Sequence, residues 1–460
     1  MAEFGAIGRH AFRQAIVAAT TAALLAACGG TRLPDSQALP AEAELSEDIG
    51  ASESLAVPMS VTCSTASGTR YSSLFTKYDY CEGLHPSDTN AKFGLYRPSG
   101  WSSGTTKRLV IYAHGYQDPR QAVIQPYEAF PELKTFRDYL MSKGYAVAWS
   151  SYSTNGFAVE DGTLRTDELR DYFAGKYGVP KRTYLTGHSL GGAVVLKLAQ
   201  AQTGNTRYSG ALPMCGFVGG STLQTNYIGH VRTMFDAFYP GALEGNAVSA
   251  PTDLNYWHDV GKFRVQQAID ANTVNANSMW NVAETSLSNG VPTLRPFSLS
   301  EFKSWMDLAL FFQVQGTNDF LSRAKGSVFD NSATNYGLVE TETFKIARYK
   351  PFPEDPAAQQ LVRAYLTRNY EPTASVPIPI LTLHNWYDPA VPFRHAKALA
   401  VATTTSTGAA NPRLWQQHVR TFGHCNFAVG EWYGALKDLV TWVESAKKPT
   451  MVDVTGRVTL

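Results

Sequence analysis

The stretch GHSLGG, residues 187–192, lies where a strand pattern gives way to a helix pattern. Residues 182–186 (RTYLT) have the β-branched and aromatic content of a short buried strand, and residues 193–199 (AVVLKLA) are typical of an apolar helix. We therefore predict a sharp strand-to-helix turn with Ser189 at its apex. The glycines two places before and two places after this serine leave the room that such a tight turn requires.

Strand and helix patterns alternate on both sides of this turn. Strands are predicted at residues 93–97, 108–112, 146–150, 208–215, 378–384 and 418–422, and helices at residues 125–142, 167–177 and 430–447. Some strands, such as RLVIY at residues 108–112, are continuous apolar runs, which suit strands covered on both faces. The alternation predicts an α/β fold with a mostly parallel central sheet flanked by helices.

A long interval, residues 218–375, interrupts this alternation. It contains helical patterns at residues 254–268 and 299–312, joined by links rich in Asn, Gly and Ser. We interpret it as a large, mainly helical cap inserted between two strands. Its aromatic side chains either line an apolar pocket or form the core of the cap itself. They include Trp257, Trp280, Trp305, Phe311 and Phe312.

Residues 1–28 have the pattern of a signal peptide. Arg9 and Arg13 precede an apolar run, residues 15–27, that is too short to span a bilayer. The run ends in LAACG, which resembles the lipobox of bacterial lipoproteins and predicts a lipid on Cys28. Plain export, with cleavage after a nearby small residue, is the alternative. The following residues, up to about residue 60, are predicted to form a flexible tether.

The charges of the chain nearly cancel. There are 40 basic and 39 acidic side chains, so no net field attracts nucleic acid or an anionic membrane. A hydrophobic content of 44% is ample for a large core. We expect a small, largely uncharged substrate, no nucleic-acid partner, and membrane attachment only through the lipid on Cys28.

An even number of cysteines remains when Cys28 is set aside, and two disulfides are the expectation for an exported protein. The sequence permits three connectivities. Cys63 and Cys81 are a local pair, which leaves Cys215 with Cys425. The latter two follow or end predicted strands and belong at the same carboxyl edge of the sheet. Two free buried thiols are the alternative.

Two further motifs stand at the ends of late strands, and a third closes an early one. Asp388 lies in the turn NWYDPAVP, His424 lies in FGHCN, and AHGY occupies residues 113–116. With serine, acid and histidine in this order, the chain resembles the α/β-hydrolases over about residues 93–216 and 378–447. The resemblance implies the α/β-hydrolase fold and identifies the glycine-flanked turn as that family's nucleophile elbow.

The resemblance also implies a catalytic triad. Ser189 is the expected nucleophile, and His424 is the base that takes its proton and returns it to the leaving group. Asp388 is expected to orient the imidazole and stabilise its charged form. Taken singly, Asp388 is also a common turn former before proline, and His424 is an ordinary histidine at a strand end.

A negative oxygen develops in acyl transfer, and backbone NH groups stabilise it. The resemblance implies that the NH groups of Leu190 and Tyr116 form this oxyanion hole, with His114 and Gly115 supporting the loop. His188 is expected to pack rather than react. The sequence contains no H-E-x-x-H pattern, and we expect neither a metal nor a cofactor.

The sequence therefore predicts an exported serine hydrolase that cleaves carboxylic esters through an acyl-enzyme, either an envelope lipoprotein or a secreted protein. A peptidase of the prolyl-oligopeptidase type and an acyltransferase would use the same motifs. A non-catalytic binding lipoprotein is disfavoured because no triad member is missing. The expected organisation is a signal peptide at residues 1–28, a tether at 29–60, a first core part at 61–217, the cap at 218–375 and a second core part at 376–450.

Overall fold

A nine-stranded sheet forms the centre of the protein. The computed structural model describes residues 61–66, 77–202, 207–287, 297–341 and 344–457. In chain order the strands are β1 (Val61–Ala66), β2 (Tyr78–His85), β3 (Asp88–Pro98), β4 (Arg108–Ala113), β5 (Ala146–Ser150), β6 (Arg182–His188), β7 (Gly210–Met214), β8 (Ile380–Tyr387) and β9 (Leu414–Phe422).

Helices connect most of these strands. They are α1 (Pro126–Ala129), α2 (Glu132–Ser142), α3 (Val159–Tyr177), α4 (Leu190–Ala201), α5 (Ser221–Phe238), α6 (Lys262–Ala271), α7 (Thr273–Leu287), α8 (Leu299–Ala324), α9 (Pro356–Asn369), α10 (Arg394–Ala402) and α11 (Val429–Ser445), with a π-helical turn at Trp257–Gly261.

The strand order is β1-β2-β3-β5-β4-β6-β7-β8-β9. The first three strands are antiparallel, β3 runs antiparallel to β5, and every pair from β5 to β9 is parallel. Parallel neighbours require crossover connections, which the helices supply. This mostly parallel sheet with flanking helices is the α/β-hydrolase fold, as predicted, whereas the role of residues 218–375 as a cap stays a prediction.

Apolar strands place the core on both faces of the sheet. All residues of β5 are buried, and in β4 only the first is partly exposed. One core packs α3 and α4 against the sheet through residues such as Phe173 and Val194. The other packs α2 and α11 through residues such as Phe136 and Leu439. Burial on both faces explains why these strands are continuous apolar runs rather than alternating ones.

The parallel register brings the predicted motifs to one edge. Ala113 of β4 pairs with Gly187 of β6, and His188 of β6 pairs with Met214 of β7. The loops that follow β4, β6 and β7 therefore leave the sheet side by side at its carboxyl edge. Because β8 and β9 are parallel to them, the loops after these strands lie at the same edge.

Some element boundaries differ from the sequence prediction. β1 and β2 extend the sheet although neither is an apolar run, and four residues of β1 are exposed. The helix predicted at residues 125–142 is divided into α1 and α2, with Pro131 at the start of α2. α3 begins before residue 167, in a polar stretch with Gly162. A Cβ at Gly162 would lie 3.0 Å from the Tyr152 ring, so this glycine makes room for the ring.

Helices α5 to α9 and the π-helical turn lie between β7 and β8, hereafter the β7–β8 helical segment. It has an apolar core of its own, in which Trp257, Trp280 and Trp305 are buried. The helix predicted at residues 254–268 is the π-helical turn followed by α6. The helix predicted at residues 299–312 continues much further, as α8.

The predicted signal peptide, the lipobox at Cys28 and the tether lie outside the described residues. Within the ranges that the structure describes, no helix combines the length and the apolar character needed to cross a bilayer.

Candidate active site

The predicted nucleophile elbow is a close-packed backbone turn between β6 and α4. Ser189 has φ of 53°, in the left-handed region that non-glycine residues rarely adopt. A Cβ at Gly191 would lie 2.1 Å from the carbonyl oxygen of Ala113, and one at Gly187 would lie 2.6 Å from the carbonyl oxygen of Gly191. Both contacts are with backbone, which cannot move aside. The two glycines are therefore required by space, as the sequence pattern predicted.

The structure brings the three expected triad residues into hydrogen-bond contact. The Ser189 hydroxyl lies 2.8 Å from His424 Nε2, and His424 Nδ1 lies 2.7 Å from Asp388 Oδ2. Ser189 is half-buried, whereas the Asp388 side chain is fully buried. The serine is thus open to a substrate, and the carboxylate is shielded from water.

Backbone donors hold the Asp388 carboxylate in place. Oδ1 accepts hydrogen bonds from the NH groups of Ala390 and Val391, both at 2.9 Å. These bonds fix the orientation of the carboxylate and leave Oδ2 for His424. A second buried histidine, His384, lies 3.7 Å from the same Oδ2 and donates through Nε2 to the carbonyl oxygen of Val391 at 2.7 Å. The sequence gives no signal for this support, since His384 appears there only as the end of a strand.

The expected oxyanion donors lie beside the serine. Leu190 is the first residue of α4, and the first NH groups of a helix have no partner within that helix. Tyr116 follows β4 and lines the same cavity as Ser189 and Leu190. Gly115 lies close against the elbow, since a Cβ there would be 3.5 Å from Ser189 Cβ. A helix N-terminus of this kind favours negative charge.

His114 supports the loop after β4. Its ring stacks on Tyr152 with centroids 3.8 Å apart, and its Nδ1 donates to the Gly115 carbonyl oxygen at 2.7 Å. The Tyr152 hydroxyl in turn donates to the His114 carbonyl oxygen at 2.9 Å. Burial lowers the pKa of His114 to about 4, so the ring is neutral near pH 7.

His188, inside the elbow, packs against aromatic rings. Its ring lies 4.4 Å from Trp432 and 5.7 Å from Tyr112, centroid to centroid. Burial, with a smaller contribution from His424, lowers the pKa of His188 to about 3. The residue packs as a neutral ring.

The structure forms both cystines that the sequence favoured. Cys63 and Cys81 join β1 to β2, with Cα atoms 4.1 Å apart. Cys215 and Cys425 are joined with Cα atoms 5.3 Å apart, although 210 residues separate them. This second cystine ties the end of β7 to the residue that follows His424.

An apolar cavity opens beside Ser189. The empty space in this cavity is about 770 Å³, a volume that includes solvent at its opening. No residue that lines it carries a formal charge. The lining residues are Tyr116, Phe157, Ser189, Leu190, Phe217, Gln224, Thr225, Ile228, Gly229, Ala247, Phe312, Gly316, Thr317, Phe320, Leu321, Ser327 and Val391. Of the five aromatic residues that the sequence analysis named in the interval, only Phe312 lines the cavity, and its ring lies 6.4 Å from that of His424.

The β7–β8 helical segment also contacts the turn that carries Asp388. The Tyr227 hydroxyl of α5 donates to the Pro389 carbonyl oxygen at 2.7 Å and accepts from Trp305 Nε1 of α8 at 2.9 Å. Gln224 Nε2 donates to the Ala390 carbonyl oxygen at 2.8 Å. The sequence gives no signal for these residues, because their role depends on contacts between distant parts of the chain.

Side chains that could ligate a metal are scattered. In the described parts of the chain, no group of three or more His, Cys, Asp or Glu side chains is arranged to hold a metal ion. The reactive groups beside the cavity are the Ser189 hydroxyl, the His424 imidazole, the Asp388 carboxylate and the backbone donors.

Comparisons with known proteins find similarity in structure only. No protein-family model matches the sequence, and no curated protein matches it. Feruloyl esterase B from Aspergillus oryzae is 12% identical, with 85% of this chain and 88% of that chain covered and a TM-score of 0.46. An esterase from Aspergillus oryzae has the same identity and coverage and a TM-score of 0.48. Candida antarctica lipase A is 12% identical, with 83% and 81% covered and a TM-score of 0.40.

Proposed function

We propose that the protein is an exported serine hydrolase that cleaves carboxylic esters through an acyl-enzyme intermediate. One observation carries the proposal. Beside an apolar cavity that Ser189 lines, Ser189, His424 and Asp388 form a chain of hydrogen bonds of 2.8 and 2.7 Å. A serine hydroxyl is a poor nucleophile near pH 7, and such a chain supplies the base that activates it.

In the acylation step, Ser189 Oγ bonds to the ester carbonyl carbon and its proton passes to His424 Nε2. The carbonyl electron pair moves to oxygen, which the NH groups of Leu190 and Tyr116 stabilise. The His424 imidazolium keeps its proton on Nδ1, which donates a hydrogen bond to Asp388 Oδ2, and the negative charge of this carboxylate stabilises the imidazolium. When the carbonyl re-forms, the bond to the alcohol breaks, and the alcohol leaves with the proton from Nε2.

Deacylation repeats these steps with water. His424 Nε2 takes a proton from water, whose oxygen bonds to the acyl carbon, and the oxyanion forms at the same NH groups. The bond to Ser189 Oγ then breaks, the serine regains its proton from His424, and the carboxylic acid leaves. The same base and the same donors serve both halves of the reaction.

The β7–β8 helical segment is proposed to act as a cap over this site, within residues 218–375. Its contribution to the cavity supports this role, because α8 supplies Phe312, Gly316 and Phe320. The uncharged lining favours an uncharged acyl group, since a charged group would lose its hydration without gaining a partner.

Export and lipidation at Cys28 belong to the same proposal. The two cystines support an oxidising compartment, where disulfides form and persist. Expression in a bacterial host with Cys28→Ser tests the lipid. We expect the variant to leave the membrane fraction, and an unchanged membrane fraction would contradict lipidation.

The test of catalysis is a side-by-side panel of p-nitrophenyl esters and chromogenic peptide amides. We expect esters to be preferred and Ser189→Ala to lower kcat by about 10⁴-fold or more. Ser103→Ala, at an exposed serine, is the matched control and is expected to behave as the parent protein. Activity that survives in Ser189→Ala would refute the nucleophile, and a preference for amides would indicate a peptidase. Acyl transfer to an added alcohol that outpaces hydrolysis would indicate an acyltransferase.

A further inference from the structure

Gly316 lies inside the long helix α8 and lines the cavity beside Ser189. It is buried, and its backbone has ordinary helical conformation rather than a positive φ. A Cβ built at this position meets no heavy atom within 4 Å beyond the local helix backbone. A side chain there would therefore project into empty space, and the cavity is the space that Gly316 lines.

A glycine in a helix interior is destabilising relative to alanine, and it usually has a backbone or packing reason. Gly229 on α5 has a packing reason, because a Cβ there would lie 2.6 Å from the Phe329 ring. Gly316 has no such neighbour. What the absent side chain provides at Gly316 is room in the cavity.

The flanking residues give that room a shape. Phe312 and Phe320 stand four places before and after Gly316, so the three lie on one face of α8, and all three line the cavity. The Phe312 ring lies 6.4 Å from the His424 ring, and the Phe320 ring lies 5.1 Å from that of Phe157. Gly316 thus forms a notch between two phenyl rings, one of which is beside the catalytic base.

We propose that Gly316 determines acyl specificity: the notch between Phe312 and Phe320 admits a long, uncharged, apolar acyl group such as a hexanoyl chain. The inference rests on the proposed ester hydrolysis and names the part of the substrate that the cavity accepts. Apolar contact with the two rings stabilises a long acyl group, whereas an acetyl group is too short to fill the notch.

The test fills the notch. For p-nitrophenyl hexanoate we expect Gly316→Leu to lower kcat/KM at least about tenfold, the size of effect that a few methylenes make in a pocket. For p-nitrophenyl acetate we expect a change below about threefold. Gly316→Ala should give an intermediate ratio and raise Tm by about 1 °C, because alanine is the better helix former. A Gly316→Leu variant with the parent hexanoate-to-acetate ratio would overturn the proposal.

Gly175 offers a matched control. It lies in α3 with helical backbone, and a Cβ there would also meet no heavy atom within 4 Å, but the residue faces solvent. Gly175→Leu should leave the hexanoate-to-acetate ratio unchanged. If it shifts the ratio as Gly316→Leu does, the effect comes from helix composition and the notch is refuted.

A second readout separates this inference from the proposed function. Short-alkyl and long-alkyl fluorophosphonates label an activated serine without any ester being hydrolysed. We expect Gly316→Leu to slow long-alkyl labelling of Ser189 at least about tenfold and to spare short-alkyl labelling. If the parent protein is labelled but hydrolyses no ester, the proposed function fails, and the labelling ratio still decides whether Gly316 selects the bound group.

Discussion

The carboxyl edge of the sheet and the β7–β8 helical segment meet at Ser189, and one glycine from each shows how differently they are built. A Cβ at Gly191, in the elbow, would lie 2.1 Å from the backbone oxygen of Ala113, whereas a Cβ at Gly316 meets nothing within 4 Å beyond its own helix turn. At the sheet edge the backbone is packed too closely to accept a side chain at Gly191, and this backbone positions Ser189. At Gly316 the helical segment leaves space in the cavity, and in our proposal this space receives the acyl group of the substrate. In that proposal, chemistry and selectivity occupy separate parts of the chain.

Replacing Asp388 by asparagine tests the rigid edge where we expect the largest effect. The amide keeps the shape but not the charge, so His424 loses the acceptor that fixes its tautomer. We expect Asp388→Asn to lower kcat for p-nitrophenyl esters by about 10⁴-fold while Tm changes little. A loss smaller than about tenfold would remove Asp388 from the triad.

The Cys215–Cys425 cystine tests whether the edge depends on a covalent tie. It closes 210 residues, whereas Cys63–Cys81 closes 18, and the entropy removed from the unfolded chain grows with that length. We expect the Cys215→Ser, Cys425→Ser double variant to lose about 2–5 kcal/mol of unfolding free energy in urea. The Cys63→Ser, Cys81→Ser variant is the control and should lose less. Equal losses would show that loop length does not determine how much either cystine stabilises the folded protein.

Tyr227 joins the two regions, and its substitution tests how firmly the helical segment is held to the acid turn. Tyr227→Phe removes a donor to Pro389 and an acceptor for Trp305 Nε1, which leaves buried polar groups unpaired. We expect a loss of about 1–3 kcal/mol in unfolding free energy. Ester kcat should fall less than about tenfold, because Asp388 keeps its own backbone donors. Tyr239→Phe, whose hydroxyl donates to Asn272, should leave kcat unchanged.

His188 gives the smallest and most graded test. Burial lowers its pKa from 6.5 to about 3, so between these values the unfolded chain binds a proton that the folded protein does not. The free energy of unfolding therefore keeps its full value with respect to His188 above pH 6.5. Below pH 6.5 it decreases by about 1.4 kcal/mol per pH unit, because the unfolded chain takes up the proton. Urea unfolding at about pH 7.5 and pH 5.5 should differ less in His188→Leu, by about 1.4 kcal/mol. An unchanged difference would mean that His188 is charged or exposed.

The rigid edge was also the part that the sequence predicted best. The elbow is encoded within six residues, GHSLGG, and the strands beside it are buried on both faces and therefore apolar throughout. Parallel strands that end at one edge bring Ser189, Asp388 and His424 together, and their assignment to a triad is what the resemblance to the α/β-hydrolases implies. The elbow and the strands are short-range patterns, so their prediction needs no knowledge of distant contacts.

The helical segment was predicted only as an interval with helical pieces. Tyr227 and Gln224 act through hydrogen bonds to the acid turn, far away in the sequence. Gly316 counts against a helix on propensity alone, although it lies well inside α8. Gly162 has the same low helix propensity, and the sequence therefore gives no sign that α3 begins before residue 167. Each of these residues is explained by a neighbour or a space that only the folded chain supplies.

The order of the three reacting residues along the chain has a consequence for synthesis. Ser189 and most of the cavity precede β8, whereas Asp388 and His424 arrive with the last two strands of the sheet. A chain that stops before β8 holds a serine without its base, and it cannot close the cystine at Cys425. In the proposed mechanism, a chain that ends before His424 therefore cannot activate Ser189. Synthesis of β9 and of the loop that follows it becomes the step that permits reaction.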